Sequence, residues 1–393
     1  MIYRSFKDGG WQYFKQRLGF SYQNFASQPI HFHCASVGEL LTAKPLILRI
    51  SAEYPNKQIV ITTNTPTAAS LANKLGHNAI SHHYFPIDLA FSVNRFLNKV
   101  KPSCSLILET EIWPTYYAHA AQQHIPIAII NARLTSKTTD SNSFLKNEFS
   151  HALNKVDLLL ARSEDDCQRY NSLCPNLRSA HVLGNLKYAV TNTTSKQLAC
   201  TTIKRPFFLA ASTHDDEELQ LIEHIELLKR KNYLLILAPR YPDRCKQISQ
   251  QLKSMGLQVS VRSDHEEISN TTDVYLADTL GELNMFYNES ALVFVGGSLI
   301  PRGGHNILEP ASFGKCIIVG PYTNNFALET KELLQADALL QVDSNHQLGL
   351  TLIKFLKDDT LREQYGKNAM QFMNSRSGIL DAYIKHLHLL IES

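Results

Sequence analysis

The sequence predicts an α/β protein of two doubly wound, Rossmann-like parallel-sheet domains in tandem, facing one another across a ligand cleft. Three observations carry that expectation. At 393 residues the chain is too long for one ordinary core. Short β-rich runs alternate with helical periodicity through both halves, the pattern of parallel sheets flanked by helices. Clusters of glycine and polar residues stand directly after strands, where open parallel sheets bind their ligands.

In the first half, apolar and β-branched runs at residues 30–33, 59–63, 106–109, 125–131 and 158–162 read as strands. Helical spacing fills 39–54, 66–75, 90–100 and 164–173, and His82-His83 reads as a turn. The second half gives strands at 207–211, 234–238, 258–261, 274–277, 292–295 and 317–320, with helices at 217–230, 244–255, 280–289 and 327–335. A polar Asn/Thr/Ser/Lys-rich stretch at 191–206 reads as a linker. The expected organisation is therefore a first domain over 1–190, a second over 207–375, and a C-terminal helix over 376–393.

Composition narrows the function classes. With 44% hydrophobic and 19% charged residues the chain can bury a sizeable core, and a net charge of +3 gives no nucleic-acid signal. Seven scattered cysteines without a C-x-x-C pair read as buried, reduced thiols of a reducing compartment. No run of about 18 apolar residues encodes a membrane span, and the start lacks the apolar core of a signal peptide. Trp11, Phe14 and Leu18 recur at helical spacing beside Lys15 and Arg17, with Tyr13 and Phe20 close by. Such a basic, aromatic helix either lies in a bilayer interface or docks on its own domain. HExxH, Walker A, GxSxG and CxxC patterns are all missing, as is a DxD pair at a strand end, so a metal-free reaction is expected.

The most informative stretch runs from Phe294 to Pro310. A buried strand stops at Gly296-Gly297, a second pair, Gly303-Gly304, opens a loop, and Pro310 suits a first helical position. Glycine-rich backbone leading into a helix favours a phosphate-bearing ligand, with Arg302, His305, Asn306 and Glu309 around it; a plain loop closing an α/β unit is the alternative. A carboxylate there suits ribose hydroxyls. Other strand ends carry Ser36-Val37-Gly38-Glu39, Glu109-Thr110-Glu111-Ile112-Trp113-Pro114, Asn131-Ala132-Arg133-Leu134 and Gly184-Asn185-Leu186-Lys187. Glu39 reads either as a residue compensating a helix dipole or as a general base. Lys187 is either solvated surface or a partner for phosphate or a sugar carboxylate. In the second half the strand ends carry Ser212-Thr213-His214, Pro239-Arg240 and Asp278-Thr279-Leu280-Gly281-Glu282-Leu283.

Taken in order, from Gly19 to about Phe326, these motifs resemble those of the 3-deoxy-D-manno-octulosonic acid (Kdo) transferases of lipopolysaccharide synthesis. The resemblance implies a GT-B glycosyltransferase fold and metal-independent, inverting transfer of Kdo from CMP-Kdo, a donor substrate rather than a cofactor, to the 6′-hydroxyl of a lipid A precursor, lipid IVA. It implies Glu39 as general base, with Glu109 and Lys187 stabilising the transition state. It places CMP against Pro239 and Arg240, against Leu280, Gly281 and Glu282, and against Asn306, Ile307, Leu308 and Glu309. The implied location is the cytoplasmic face of the bacterial inner membrane. Family members usually begin with an apolar anchor; none precedes Trp11 here, so a truncated start or peripheral attachment through the amphipathic stretch is expected. Cys34 replaces a small aliphatic residue, and the loop 135–143 is polar where basic and aromatic residues are usual. A UDP-sugar transferase or epimerase, and a non-catalytic nucleotide- or lipid-binding protein, are the competing classes.

Overall fold

The computed structural model describes residues 2–25, 27–75, 79–134, 138, 142–189 and 203–392, with main chain only at 2–8. Most of the expected linker and most of the loop 135–143 lie outside the described residues. The chain divides into two compact units, one of Met1–Ala189 with Ser377–Ser393 and one of Val190–Arg376.

The first unit is built on a seven-stranded, wholly parallel sheet. Its strands are β1 (Ile30–His33), β2 (Ile59–Thr63), β3 (Ile80–Tyr84), β4 (Cys104–Leu108), β5 (Ile127–Ala132), β6 (Leu158–Ala161) and β7 (Ala180–Val182). They lie in the order β3-β2-β1-β4-β5-β6-β7. Strands β1, β2, β4, β5 and β6 are buried at every position, as a sheet covered by helices on both faces demands. Phe32, Ile61, Leu106, Ile129 and Leu160 are among the fully buried side chains. His82 and His83, expected in a turn, instead lie in the edge strand β3. Their backbone is paired to β2, and the His83 ring Nδ1 is 3.0 Å from the Gln16 side-chain amide. The helix Ile379–Glu392 packs with helix Val37–Glu53, so the chain's last element belongs to the first unit.

The second unit repeats the architecture. Its strands β8 (Phe207–Thr213), β9 (Leu234–Pro239), β10 (Val259–Val261), β11 (Val274–Leu276), β12 (Leu292–Val295), β13 (Ile317–Val319) and β14 (Leu339–Gln341) form a parallel sheet in the order β10-β11-β9-β8-β12-β13-β14. The expected helix over 217–230 is two short helices, Glu217–Ile222 and Ile225–Arg230. Two helix starts also shift. The element expected from 280 begins at Leu283, so Leu280–Glu282 form a turn. The short helix after the glycine loop spans Leu308–Ser312, which puts Pro310 at its third position rather than its first. Six of the seven cysteines are buried free thiols, and Cys200 lies outside the described residues. Among the described residues no helix is long and apolar enough to cross a membrane.

Candidate active site

In each sheet the strand order reverses beside the first strand, between β1 and β4 in the first unit and between β8 and β12 in the second. Connections there diverge to opposite faces and leave a crevice at the carboxyl ends of the strands. Most of the polar motifs follow those strands or their neighbours; Gly184–Lys187 follows the edge strand β7, and Asp278–Leu283 follows β11.

At the first switch point, Ser36 caps helix Val37–Glu53 and Glu39 occupies its third position, forming a capping box. The Glu39 amide donates to Ser36 Oγ at 3.3 Å, Ser36 Oγ donates to Glu39 Oε1 at 2.9 Å, and the Ala35 amide donates to Glu39 Oε2 at 2.7 Å. Each oxygen keeps a second lone pair. The capping role and a base role are thus compatible. Burial pushes the Glu39 carboxyl up to about 7; the Glu111 charge adds to the rise, the Ser36 and Ala35 hydrogen bonds oppose it, and Glu109 contributes least. Such a value suits a base working near neutrality.

Glu109 follows β4 with φ 54°, a left-handed conformation rare outside glycine. Its backbone is locked: its amide donates to Ile130 O at 3.0 Å and its carbonyl accepts from the Tyr170 hydroxyl at 3.0 Å. Glu111 is held by the Trp113 indole N–H at 3.0 Å and lies 3.5 Å from Nε2 of the buried His33. Asn131, also left-handed at φ 50°, sits at a register break in β5 and accepts the Leu186 amide at 3.0 Å. That contact ties the turn Leu186–Tyr188 to the sheet, and the same turn packs on helix Val37–Glu53. Lys187 is half-buried on that turn.

Glu217 belongs to none of the expected site residues, yet it organises the second unit. Its fully buried carboxylate accepts four backbone amides: Gly297 at 2.7 Å, Ser298 and Leu299 at 3.0 Å, and His214 at 3.1 Å. The amides expected to cradle a ligand phosphate at Gly297–Leu299 are therefore occupied by the chain's own anion. Gly297 adopts φ 67°, and a Cβ on Gly296 would lie 2.5 Å from Ser212 O, so the turn requires both glycines. Ser212 is left-handed at a register break in β8.

The rim beyond this turn collects the proposed nucleotide residues. Pro239 is the buried last residue of β9, and Arg240 is exposed. Glu309 Oε1 accepts from Asn306 Nδ2 at 3.0 Å, and Asn306 Oδ1 accepts the Leu308 amide at 3.0 Å. Burial raises the Glu309 carboxyl, while the Asn306 hydrogen bond and the Arg240 charge oppose that. Ile307 and Leu308 are core side chains, so only their backbone is available to a ligand. Leu280 is 84% exposed, and Gly281 is left-handed. Glu282 pairs with Arg262 through two contacts of 2.9 and 3.1 Å, which hold its carboxyl below the usual range.

The N-terminal stretch docks and projects at once. Tyr13 is buried edge-on against Tyr84, and Arg17 donates to Asn64 Oδ1 at 2.7 Å and to Phe85 O at 2.8 Å. On the opposite side Trp11 and Phe14 are exposed, their rings parallel at 6.3 Å, and with Lys15, Leu18, Phe20 and Ser21 they line a hollow of about 460 Å³.

Comparison with known proteins agrees with this organisation. The family model for 3-deoxy-D-manno-octulosonic-acid transferase (kdotransferase) matches residues 12–190. A 3-deoxy-D-manno-octulosonic acid transferase of Haemophilus influenzae is 33% identical over 96% of this chain and 91% of its own length. One from Rickettsia typhi is 31% identical over 92% of this chain and 79% of its own. Among solved structures, the S. aureus MnaA–UDP complex superposes with a TM-score of 0.58 at 14% identity, covering 93% of this chain and 98% of that one. The spinosyn rhamnosyltransferase SpnG gives 0.54 at 12% identity, covering 92% and 100%. At such identities the likeness speaks to fold alone, which is GT-B. From its sequence relatives, the chain belongs to the 3-deoxy-D-manno-octulosonic acid transferase family, glycosyltransferases of lipopolysaccharide biosynthesis.

Proposed function

We propose that the protein transfers Kdo from CMP-Kdo to the 6′-hydroxyl of a lipid A precursor, lipid IVA, with inversion and without a metal. The observation that carries this reading is the carboxylate group at the first switch point, where Glu39 keeps free lone pairs and a proton affinity near neutrality. Glu39 takes the proton of the attacking hydroxyl. The bond between sugar and phosphate breaks with its electron pair leaving on phosphate, and positive charge grows on the sugar. Glu109 stabilises that oxocarbenium-like centre, and Lys187 balances the negative charge of the departing phosphate or the Kdo carboxylate. CMP is held in the second unit by Pro239 and Arg240, by the turn Leu280–Glu282, and by Asn306 to Glu309, with Glu309 on the ribose hydroxyls. The exposed Trp11, Phe14 and Phe20 with Lys15 bring the protein to the anionic face of the inner membrane, where the acceptor resides.

The test is mass spectrometry of the product formed from CMP-Kdo and lipid IVA in the presence and absence of EDTA. A single-Kdo or multi-Kdo product with unchanged yield in EDTA is expected. No product from CMP-Kdo, or a yield restored only by added metal, removes the corresponding part of the reading.

A further inference from the structure

Two imidazoles in the second unit have no part in the mechanism so far. His214 follows β8, and His305 lies in the glycine-rich loop after the neighbouring strand β12. Their Nε2 atoms are 2.7 Å apart, the ring centroids 5.0 Å apart, and the planes are inclined by 13°. The centroid separation equals the nitrogen distance plus two ring radii. The rings therefore meet edge to edge in nearly one plane, which aims one Nε2 lone pair at the other Nε2 along a nearly straight line. A straight contact of that length holds one proton between two nitrogens and excludes a second.

We propose that His214 and His305 act together as a one-proton acid for the phosphate of the nucleoside monophosphate-sugar donor. This rests on the donor reading above, and extends it by naming the group that receives the leaving charge. The surroundings are strongly cationic: Arg302, Arg240 and Arg244 act on His214, and Arg240 acts on His305. Among the described residues Asp215 is the one opposing carboxylate acting on His214, and it is paired to Arg244. Tyr241 presents its ring to His214 edge-on, and Glu217 fixes the His214 backbone amide. Burial, then the neighbouring ring and Arg240, lower the His305 imidazole to about 4, and His214 moves in the same direction. Without an anion the pair is therefore neutral. A donor phosphate at this rim offsets the arginine charges, so the pair gains one proton as donor binds. When the bond from the anomeric carbon to the phosphate oxygen breaks, its electron pair stays on that oxygen and the shared proton moves to the phosphate. The acceptor's own proton goes to Glu39, and CMP departs as the monoanion.

The experiment is calorimetric titration of the full chain with CMP at pH 7 in Tris, HEPES and PIPES, whose ionisation enthalpies differ. Wild type should take up between about a half and one proton per CMP bound. His305→Gln and His214→Gln should bind CMP with little uptake. In the transfer assay their kcat should fall roughly 10²- to 10⁴-fold, with the acceptor KM unchanged and the alkaline fall of kcat abolished. A structural role for the pair would leave that pH limb in place. Binding of CMP by wild type without proton uptake overturns the imidazole pair and leaves the donor reading standing, as does uptake that persists in both variants. Failure of wild type to bind CMP overturns both.

Discussion

Replacing Glu39 by Gln separates the cost of holding a buried base from the benefit it gives to catalysis. The carboxyl moves from its ordinary 4.5 to about 7 on folding, chiefly through burial. A folded-state value above the unfolded one favours the folded chain at low pH. That advantage is lost as pH rises from about 4.5 through 7, where the unfolded state ionises freely and the folded state does not. The full difference is about 3 kcal/mol above pH 8 and under about 1 kcal/mol at pH 5. Gln removes the titration and retains an oxygen to accept the Ala35 amide. Glu39→Gln should therefore be more stable than wild type at pH 8.5, with the transition of the first unit raised by roughly 6–12 °C. At pH 5 the two melting curves should nearly coincide. Differential scanning calorimetry across that range reads the effect. The same substitution should cost roughly 10²- to 10⁴-fold in kcat, and wild-type kcat/KM should climb tenfold per pH unit below about 7. A stability difference that does not vary with pH, or a kinetic limb unchanged in the variant, would refute the assignment of a raised proton affinity to Glu39.

Three further outcomes follow from the geometry. Glu217→Ala strands four buried amides and should cost about 3–5 kcal/mol of second-unit stability, read by urea titration; a loss under about 1 kcal/mol would mean that water replaces the carboxylate fully. Glu309→Ala should weaken CMP binding at least about tenfold, with uridine and cytidine nucleotides affected alike if the contact is to ribose; unchanged affinity in calorimetry excludes that contact. Binding to anionic vesicles should weaken on raising salt from about 0.05 to 0.5 M, and Trp11→Ser with Phe14→Ser should abolish it; salt-insensitive binding by wild type would point to apolar insertion as the dominant force.

The interior of both sheets was legible because buried parallel strands are near-continuous apolar runs. The strand at 30–33, the strand at 59–63 and the helices at 90–100 and 164–173 coincide with the structure residue for residue. Of the four edge strands only β10 was legible, as the apolar run at 258–261; β3, β7 and β14 were not. β7 and β14 have three residues each, and β3 carries Ser81, His82 and His83 on a half-exposed edge, so neither hydrophobicity nor alternation marks them. The site clusters were visible as polar interruptions after apolar runs. Their roles were visible only in part. Glu39 reads as a residue compensating a helix dipole as readily as a base, and the structure shows that its carboxylate closes a capping box. Glu217 was hidden among Asp215, Asp216 and Glu218, because three of its four amide partners are about 80 residues away, and no spacing rule links a carboxylate to a distant turn. The break at Glu223–His224 was likewise masked by good helix formers on either side.

The internal anion at Gly297–Leu299 has a consequence for how this lobe meets small ions. A receptacle of convergent amides normally stands open to sulfate or inorganic phosphate, and such ions then compete with substrate. Here it is plugged from within before any solute arrives, so buffer anions are left with the arginine-lined lip, a screened and salt-sensitive place to compete. The plug also sets the shape of the loop in advance, and the lobe reaches its working form without spending ligand affinity on folding that turn.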